Sequence, residues 1–227
     1  MLPGMMCDQA LWQAQCDGLE AQAQCLPGDI TGAETVAALA ADVLSGAPEQ
    51  FALAGLSMGG IVALEIWRQA PQRVMGLALL DTNHRADPPE RRVLRERQIG
   101  QVRDGGLEVV LRDELKPNYM AQCHRGNVAL LDEVLAMGMA LGPAVFERQS
   151  LALRDRPDST ATLATIDVPV LVLCGEEDTL CPVALHREMA GHVRDAELVI
   201  VRDCGHLSTM EQPESVTQAL RQWLARL

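Results

Sequence analysis

The chain has 227 residues, of which 48% are hydrophobic and 22% are charged. This length is enough to bury a full core, and one compact domain with room for a subdomain is expected. The formal net charge of −12 argues against a nucleic-acid partner, because phosphate contacts need clustered lysine and arginine side chains.

The cysteines and the N-terminal sequence indicate the cellular compartment in which we expect the protein to function. The seven cysteines are odd in number and form neither a C-x-x-C pair nor a Cys/His set with zinc spacing, so we expect reduced thiols and no metal. The start, MLPGMMCDQALW, lacks the basic stretch and apolar run of a secretory signal. The longest apolar runs are far short of the ~20 residues that span a bilayer. We therefore predict a cytoplasmic protein without a membrane span.

Short apolar runs alternate with longer amphipathic stretches, which is typical of an α/β fold with a mostly parallel central sheet flanked by helices. Continuous apolar runs predict strands buried on both faces, at 51–56, 74–80, 168–174 and 196–201. Apolar residues at helical spacing predict helices at 35–44, 59–70, 182–193 and 213–227.

The stretch from 84 to 160 breaks this alternation. It contains several helical patterns but no strand pattern, and glycines and prolines such as Gly142-Pro143 punctuate it. An insertion of this size between two strands of an α/β domain is expected to cover a site. We therefore predict a core formed by 1–83 and 161–227, with residues 84–160 (the cap segment below) as a helical cap.

Ser57 is the predicted nucleophile. It lies in GLSMGG (55–60), directly after a predicted strand and at the start of a predicted helix, which is the context of the G-x-S-x-G nucleophile elbow. The sharp turn that projects the hydroxyl crowds the backbone, and glycines two positions on either side remove side chains that would clash. The following helix directs its N-terminal dipole toward developing negative charge.

A serine nucleophile needs an adjacent base, and His206 is the candidate. It follows the predicted strand 196–201 in the sequence DCGHLSTMEQP, as expected for a loop at the carboxyl end of a strand. The other histidines lie in predicted helices or in the cap segment and are interpreted as surface or core residues: His84, His124, His186 and His192.

The acid that orients the histidine should follow the predicted strand 168–174, because such hydrolases run Ser, then Asp or Glu, then His. The loop GEEDTLCP (175–182) offers Glu176, Glu177 and Asp178. Asp178 is favoured because its position leaves room for a loop that reaches His206. Asp81, at the end of the predicted strand 74–80, is the competitor, and we interpret it as a structural hydrogen-bonding residue.

The oxyanion of a tetrahedral intermediate needs a pair of N–H donors. One should be the backbone N–H of Met58, the residue after the nucleophile. The second should come from a loop after another strand, and LPGMM (2–6) offers the N–H of Met5.

Together these segments resemble the α/β-hydrolase superfamily, in its branch of small, lid-bearing serine esterases and related hydrolases. LPGMMCDQALW is similar to the oxyanion loop, GLSMGG to the elbow, GEEDTLCP to the acid loop and GHLSTMEQP to the histidine loop. The resemblance covers essentially the whole chain. It implies Ser57, Asp178 and His206 as a triad, Met5 and Met58 as oxyanion donors, and a cap that lines the acyl pocket.

One feature departs from the family pattern. In these hydrolases a central strand, preceded by a hairpin, comes before the oxyanion loop, whereas only Met1 and Leu2 precede Pro3 here. Losing a central strand would leave backbone donors and acceptors unpaired. Either the natural start lies upstream or the sheet is rebuilt without that strand, so we expect the N-terminal strands to be missing.

We predict a serine hydrolase that cleaves a small carboxylic ester, thioester or lactone through an acyl-enzyme on Ser57, without metal or organic cofactor. The expected partner is a small-molecule acyl substrate, and the oligomeric state is open. Carbon–carbon bond hydrolysis and perhydrolysis by the same triad are alternatives within the enzyme class. A ligand-sensing module that keeps the hydrolase site is the alternative outside it.

Overall fold

The computed structural model describes residues 1–227, and its four strands form one parallel sheet in the order β1-β2-β3-β4. The strands are β1 (Phe51–Leu56), β2 (Val74–Leu80), β3 (Val170–Gly175) and β4 (Ala196–Val201). The helices are α1 (Gln13–Leu19), α2 (Val36–Gly46), α3 (Met58–Gln69), α4 (Pro89–Arg103), α5 (Leu107–Val109), α6 (Val128–Arg154), α7 (Thr160–Leu163), α8 (Val183–His192), α9 (Ser208–Glu211) and α10 (Pro213–Leu224). The predicted parallel sheet flanked by helices is confirmed.

Both faces of the sheet are buried, which explains the continuous apolar runs of its strands. Alternate side chains of a strand point to opposite faces. Leu53 and Leu77 therefore join the core formed with α2 and α3, whereas Ala54 and Leu171 join the core formed with α1 and α10. Because all four strands are parallel, their carboxyl ends lie at one edge, and the loops that follow them meet there.

Leu2 pairs with the edge strand β1. It forms an isolated parallel bridge with Gly55: its N–H donates to Ala54 O at 2.8 Å, and the Leu56 N–H donates to Leu2 O at 3.1 Å. This bridge pairs β1 at the end next to Ser57, where the loops meet.

The other end of β1 borders a groove of about 1100 Å³. Its lining is mostly apolar and includes Leu26, Phe51, Met75, Trp223 and Leu227. None of the predicted catalytic side chains lines this groove. It is therefore separate from the chemistry predicted at the carboxyl ends of the strands.

The regular elements between β2 and β3 are helices and helical turns, and none is a strand. The longest helix, α6, could cross a membrane by length and composition, since its most apolar window has a mean hydropathy of 1.6. The backbone leaves the helical range at Gly142 (φ 80°, ψ 176°), and Pro143 follows, so two helices meet here at a kink. Each of the two is shorter than the ~20 residues that span a bilayer.

A buried ion cluster joins the beginning and the end of the cap segment. The carboxylate of Asp87 accepts from Arg95 Nε at 2.5 Å and lies 2.6 Å from Arg156 Nη1. Arg156 also donates to the carbonyl of Arg85 at 2.8 Å. Because a buried charge without a partner is strongly destabilising, this cluster holds residues 85–95 against Arg156.

Candidate active site

Ser57 lies at the turn between β1 and α3 with φ 54° and ψ −114°, a backbone conformation that is uncommon outside glycine. The flanking glycines make the turn sterically feasible. A Cβ on Gly55 would lie 2.3 Å from the carbonyl oxygen of Gly59, and a Cβ on Gly59 would lie 2.3 Å from that of Leu2. The two glycines of the pattern are therefore required by close backbone contacts.

The structure brings Ser57, His206 and Asp178 into one hydrogen-bonded chain. His206 Nε2 is 2.9 Å from Ser57 Oγ, and His206 Nδ1 is 2.8 Å from Asp178 Oδ2. The second carboxylate oxygen, Asp178 Oδ1, accepts the N–H groups of Leu180 and Cys181, each at 2.9 Å. Both oxygens of Asp178 are thus held, and the imidazole links the acid to the serine.

The electrostatic surroundings of His206 favour its charged form. Burial lowers the pKa of the imidazole, but the nearby charge of Asp178 and the hydrogen bond to it act in the opposite direction. Their sum raises the pKa of His206 above its ordinary value of 6.5. An imidazolium formed at this position would therefore be stabilised.

Asp81, the competing acid, has a different set of partners. Its carboxylate accepts the N–H of Gly175 at 2.9 Å and the N–H of Ser208 at 3.2 Å, and it forms no hydrogen bond with the ring of His206. Burial and the charge of Asp178 raise the pKa of Asp81 to about 8. Asp81 joins the end of β3 to the start of α9, which fits the structural interpretation.

Glu211 is a buried residue that the sequence analysis did not single out. Its Oε1 accepts the N–H groups of Gly205 at 2.9 Å and Leu207 at 3.3 Å, which flank His206 on both sides. Its Oε2 accepts the N–H of Ala121, in the cap segment, at 2.7 Å. Burial raises the pKa of this carboxyl despite these bonds. Glu211 therefore holds the histidine loop and ties it to the cap segment.

We expect Glu211→Ala to lower the free energy of unfolding by about 2–4 kcal/mol, because each buried donor left unsatisfied costs about 1–3 kcal/mol. The turnover number should also fall, by up to about 10²-fold, since the histidine loop loses its support. Denaturant unfolding and steady-state kinetics measure the two effects. Glu214→Ala, an exposed position in α10, is the matched control and should change neither quantity.

The two predicted oxyanion donors have free N–H groups. No hydrogen bond within the protein uses the backbone N–H of Met5 or of Met58. Met58 is the first residue of α3, and the loop that contains Met5 passes close to the nucleophile, since a Cβ on Gly4 would lie 3.6 Å from Ser57 Cβ. Two unpaired donors thus lie on segments adjacent to Ser57.

The cap segment reaches the site through Tyr119 and its neighbours. The N–H of His206 donates to the carbonyl of Tyr119 at 2.6 Å, and the two rings are tilted with centroids 5.8 Å apart. Gly205 is required here, because a Cβ on it would lie 2.4 Å from Tyr119 O. The loop that contains His206 and the segment around Tyr119 are therefore packed backbone to backbone.

A further supporting contact comes from α8. His186 Nε2 accepts the N–H of Thr82 at 3.0 Å, and the hydroxyl of Thr82 donates to the carbonyl of Ser57 at 2.6 Å. Burial lowers the pKa of His186 to about 4, which keeps the ring neutral and able to accept. His186 is thus a buried structural residue, in agreement with its interpretation from sequence.

The side chains of Asp178, Cys181 and His206 are close enough to share a metal ion. The thiol of Cys181 is poorly suited to this, because burial and the charge of Asp178 raise its pKa well above 9. A metal ligand must be the thiolate. The hydrogen bonds of Asp178 and His206 already join them to each other and to Ser57, so the geometry favours acid–base chemistry at the serine.

The fold and this Ser-His-Asp arrangement define the α/β-hydrolase class. The sequence matches the alpha/beta hydrolase family over residues 19–219, and the chain belongs to that family. A structure of a thermophilic esterase from Thermogutta terrifontis is 33% identical, with a TM-score of 0.90, and the match covers 99% of this chain and 88% of that one. The enol-lactonase from Burkholderia xenovorans LB400 has the same fold, with 22% identity, a TM-score of 0.86, and coverage of 99% and 90%.

Curated relatives include a pimeloyl-[acyl-carrier protein] methyl ester esterase from Nitrosomonas europaea. It is 27% identical over 74% of this chain and 68% of its own length. The match to another relative, from Mycobacterium tuberculosis, covers 66% of that relative's length. The chain therefore spans about two thirds of the length of these relatives.

Proposed function

We propose that this protein is a serine hydrolase that cleaves small carboxylic esters through an acyl-enzyme on Ser57. The observation that carries the proposal is the continuous hydrogen-bonded chain from Ser57 Oγ through His206 to Asp178, with both links below 3 Å. A serine hydroxyl is a weak nucleophile on its own, and an adjacent base oriented by a third group activates it.

In this mechanism His206 takes the proton of Ser57 as its oxygen attacks the ester carbonyl. Asp178 orients the imidazole and stabilises the imidazolium that forms. The N–H groups of Met58 and Met5 stabilise the oxyanion, and the imidazolium then protonates the departing alcohol. Water, deprotonated by the same histidine, attacks the acyl-enzyme and releases the acid.

The ester class is supported by the relatives. The Thermogutta terrifontis protein is an esterase at 33% identity, and the Nitrosomonas europaea relative is a methyl ester esterase. Thioesters and lactones present the same acyl carbon to the nucleophile, so we include them as substrates. We further propose that residues 84–160 act as a cap over a core formed by 1–83 and 161–227, and that the cap sets acyl-chain preference, because Tyr119 lies against His206.

A substrate panel tests the proposal. Purified protein should hydrolyse p-nitrophenyl esters of short acyl chains, and a set of lactones and acyl thioesters assayed beside them should define the preferred class. Substrate binding without turnover of any acyl compound would instead support a ligand-sensing module. Release of acid from carbon–carbon diketone substrates but not from esters would reject the ester assignment.

The activity should fall on acidification with an apparent pKa above 6.5 in kcat/KM. Only neutral imidazole can accept the proton of Ser57, and the charge of Asp178 raises the pKa of His206, so the active form is lost as the pH falls through that raised value. A pH–rate profile measures it. Asp178→Asn should shift the apparent pKa of the residual activity downward, whereas a flat profile from about pH 5 to pH 8 would reject the base role.

A further inference from the structure

A second group of metal-ligating side chains lies outside the proposed triad. His84 follows β2, where the chain enters the cap segment, and Glu188 and His192 lie on α8. One ligand atom from each of the three lies within 4.8 Å of the others. Their separation along the chain gives no sign that these side chains converge.

The helix explains how two of these side chains converge. Glu188 and His192 are four residues apart on α8, so they lie on the same face one turn apart. On this side of α8 lies the loop after β2, which contains His84. The rings of His84 and His192 are in a T-shaped arrangement, with centroids 6.1 Å apart. A helical pair at this spacing and one side chain from a loop form three converging ligands.

His84 is a buried imidazole without a hydrogen-bond partner. It is 1% exposed, and neither Nδ1 nor Nε2 forms a hydrogen bond; Nε2 lies 3.4 Å from Glu188 Oε1. A buried polar group left unsatisfied in a native protein calls for an explanation, and an ion is one of the standard ones.

We propose that His84, Glu188 and His192 bind a divalent transition-metal ion of the zinc type. Two imidazoles and one carboxylate suit zinc, nickel or cobalt, whereas magnesium and calcium prefer sets of oxygen ligands. Three protein ligands leave a fourth position for water. The site is distinct from the triad and contributes no group to the reaction at Ser57.

Arg85 supplies the positive charge that pairs with Glu188 in this structure. Its guanidinium pairs with Glu188, and its side chain is 55% exposed, so it can turn to solvent when a metal ion binds. The bound ion would then link His84, at the start of the cap segment, to α8. The same helix carries His186, which accepts from Thr82 next to the nucleophile elbow. The metal would therefore stabilise α8 and, through His186, the position of Thr82 beside the nucleophile elbow.

Isothermal titration of chelator-treated, reduced protein with zinc chloride tests the proposal. We expect saturable binding of one equivalent and a rise of the melting temperature, because a ligand that binds only the folded state stabilises it. His192→Ala should weaken binding by at least about tenfold, since even the loss of an outer-sphere partner costs 10–100-fold. His124→Ala, a histidine elsewhere in the cap segment, should bind as the wild type does.

A matched pair of variants separates metal ligation from the ion pair. Glu188→Gln and Arg85→Ala both remove the Arg85–Glu188 pair, but only Glu188→Gln removes a ligand. We expect Glu188→Gln to bind zinc at least about tenfold more weakly, and Arg85→Ala to bind it as tightly as the wild type or more tightly. The proposal is overturned by absence of zinc binding, or by binding and thermal stabilisation that persist in both His192→Ala and Glu188→Gln.

Discussion

Replacing Ser57 with alanine should lower kcat for a short p-nitrophenyl ester by about 10⁶-fold, the loss seen when a serine protease loses its nucleophile. The substitution removes the oxygen that would form the acyl-enzyme but leaves the N–H groups of Met5 and Met58, the proposed oxyanion donors, in place. What remains should be a slow attack by water that does not pass through a covalent intermediate.

Two measurements keep this result interpretable. Thermal unfolding should show that Ser57→Ala folds normally. Alanine must adopt the same φ of 54° as serine does at this position, so the substitution adds no backbone strain. Ser45→Ala removes an exposed hydroxyl that donates only to Asp42 O, and it should keep full activity. Wild-type turnover by Ser57→Ala would place the nucleophile elsewhere.

Asp178→Asn should lower kcat by about 10⁴-fold, as the loss of the orienting carboxylate does in a serine-protease triad. The amide would keep hydrogen bonds with the N–H groups of Leu180 and Cys181, so the loop should stay in place. It could no longer stabilise an imidazolium, and it would favour the wrong tautomer of His206. Binding of substrate, and hence KM, should change much less than kcat.

The neighbouring carboxyl provides the matched comparison. Asp81→Asn should lower kcat by less than about tenfold, because Asp81 accepts only backbone N–H groups and forms no hydrogen bond with the imidazole. The amide keeps one acceptor oxygen and loses the other, so we expect Asp81→Asn to lower stability more than kcat. A loss in Asp81→Asn as large as that in Asp178→Asn would show that the acid had been misassigned.

The parts of the site that sequence could predict are those set by local pattern and strand order. Ser57 follows from a glycine-flanked turn between an apolar strand and a helix. His206 and Asp178 follow from their position after neighbouring parallel strands, whose carboxyl ends meet at one edge. The structure brings these three side chains together at hydrogen-bond distance.

The parts that sequence could not predict depend on contacts between distant segments. Glu211 supports His206 by accepting hydrogen bonds from N–H groups of two separate loops. The local sequence EQPE (211–214) does not indicate these contacts. Asp87 is surrounded by arginines from both ends of the cap segment, a pairing that only the folded chain reveals. Leu2 pairs with β1 although it lies in no strand, because a single bridge satisfies the backbone groups of β1 next to the elbow.

The central claim, that Ser57 becomes acylated, is tested most directly with a fluorophosphonate that reacts covalently with activated serines. Intact-mass analysis after exposure of the wild type should show one adduct per chain, and peptide mapping should place it on Ser57. Ser57→Ala should remain unmodified, and His206→Ala should react far more slowly, because its serine has lost the base. An adduct on a different residue, or ester turnover by a wild-type protein that the reagent neither modifies nor inhibits, would contradict the account.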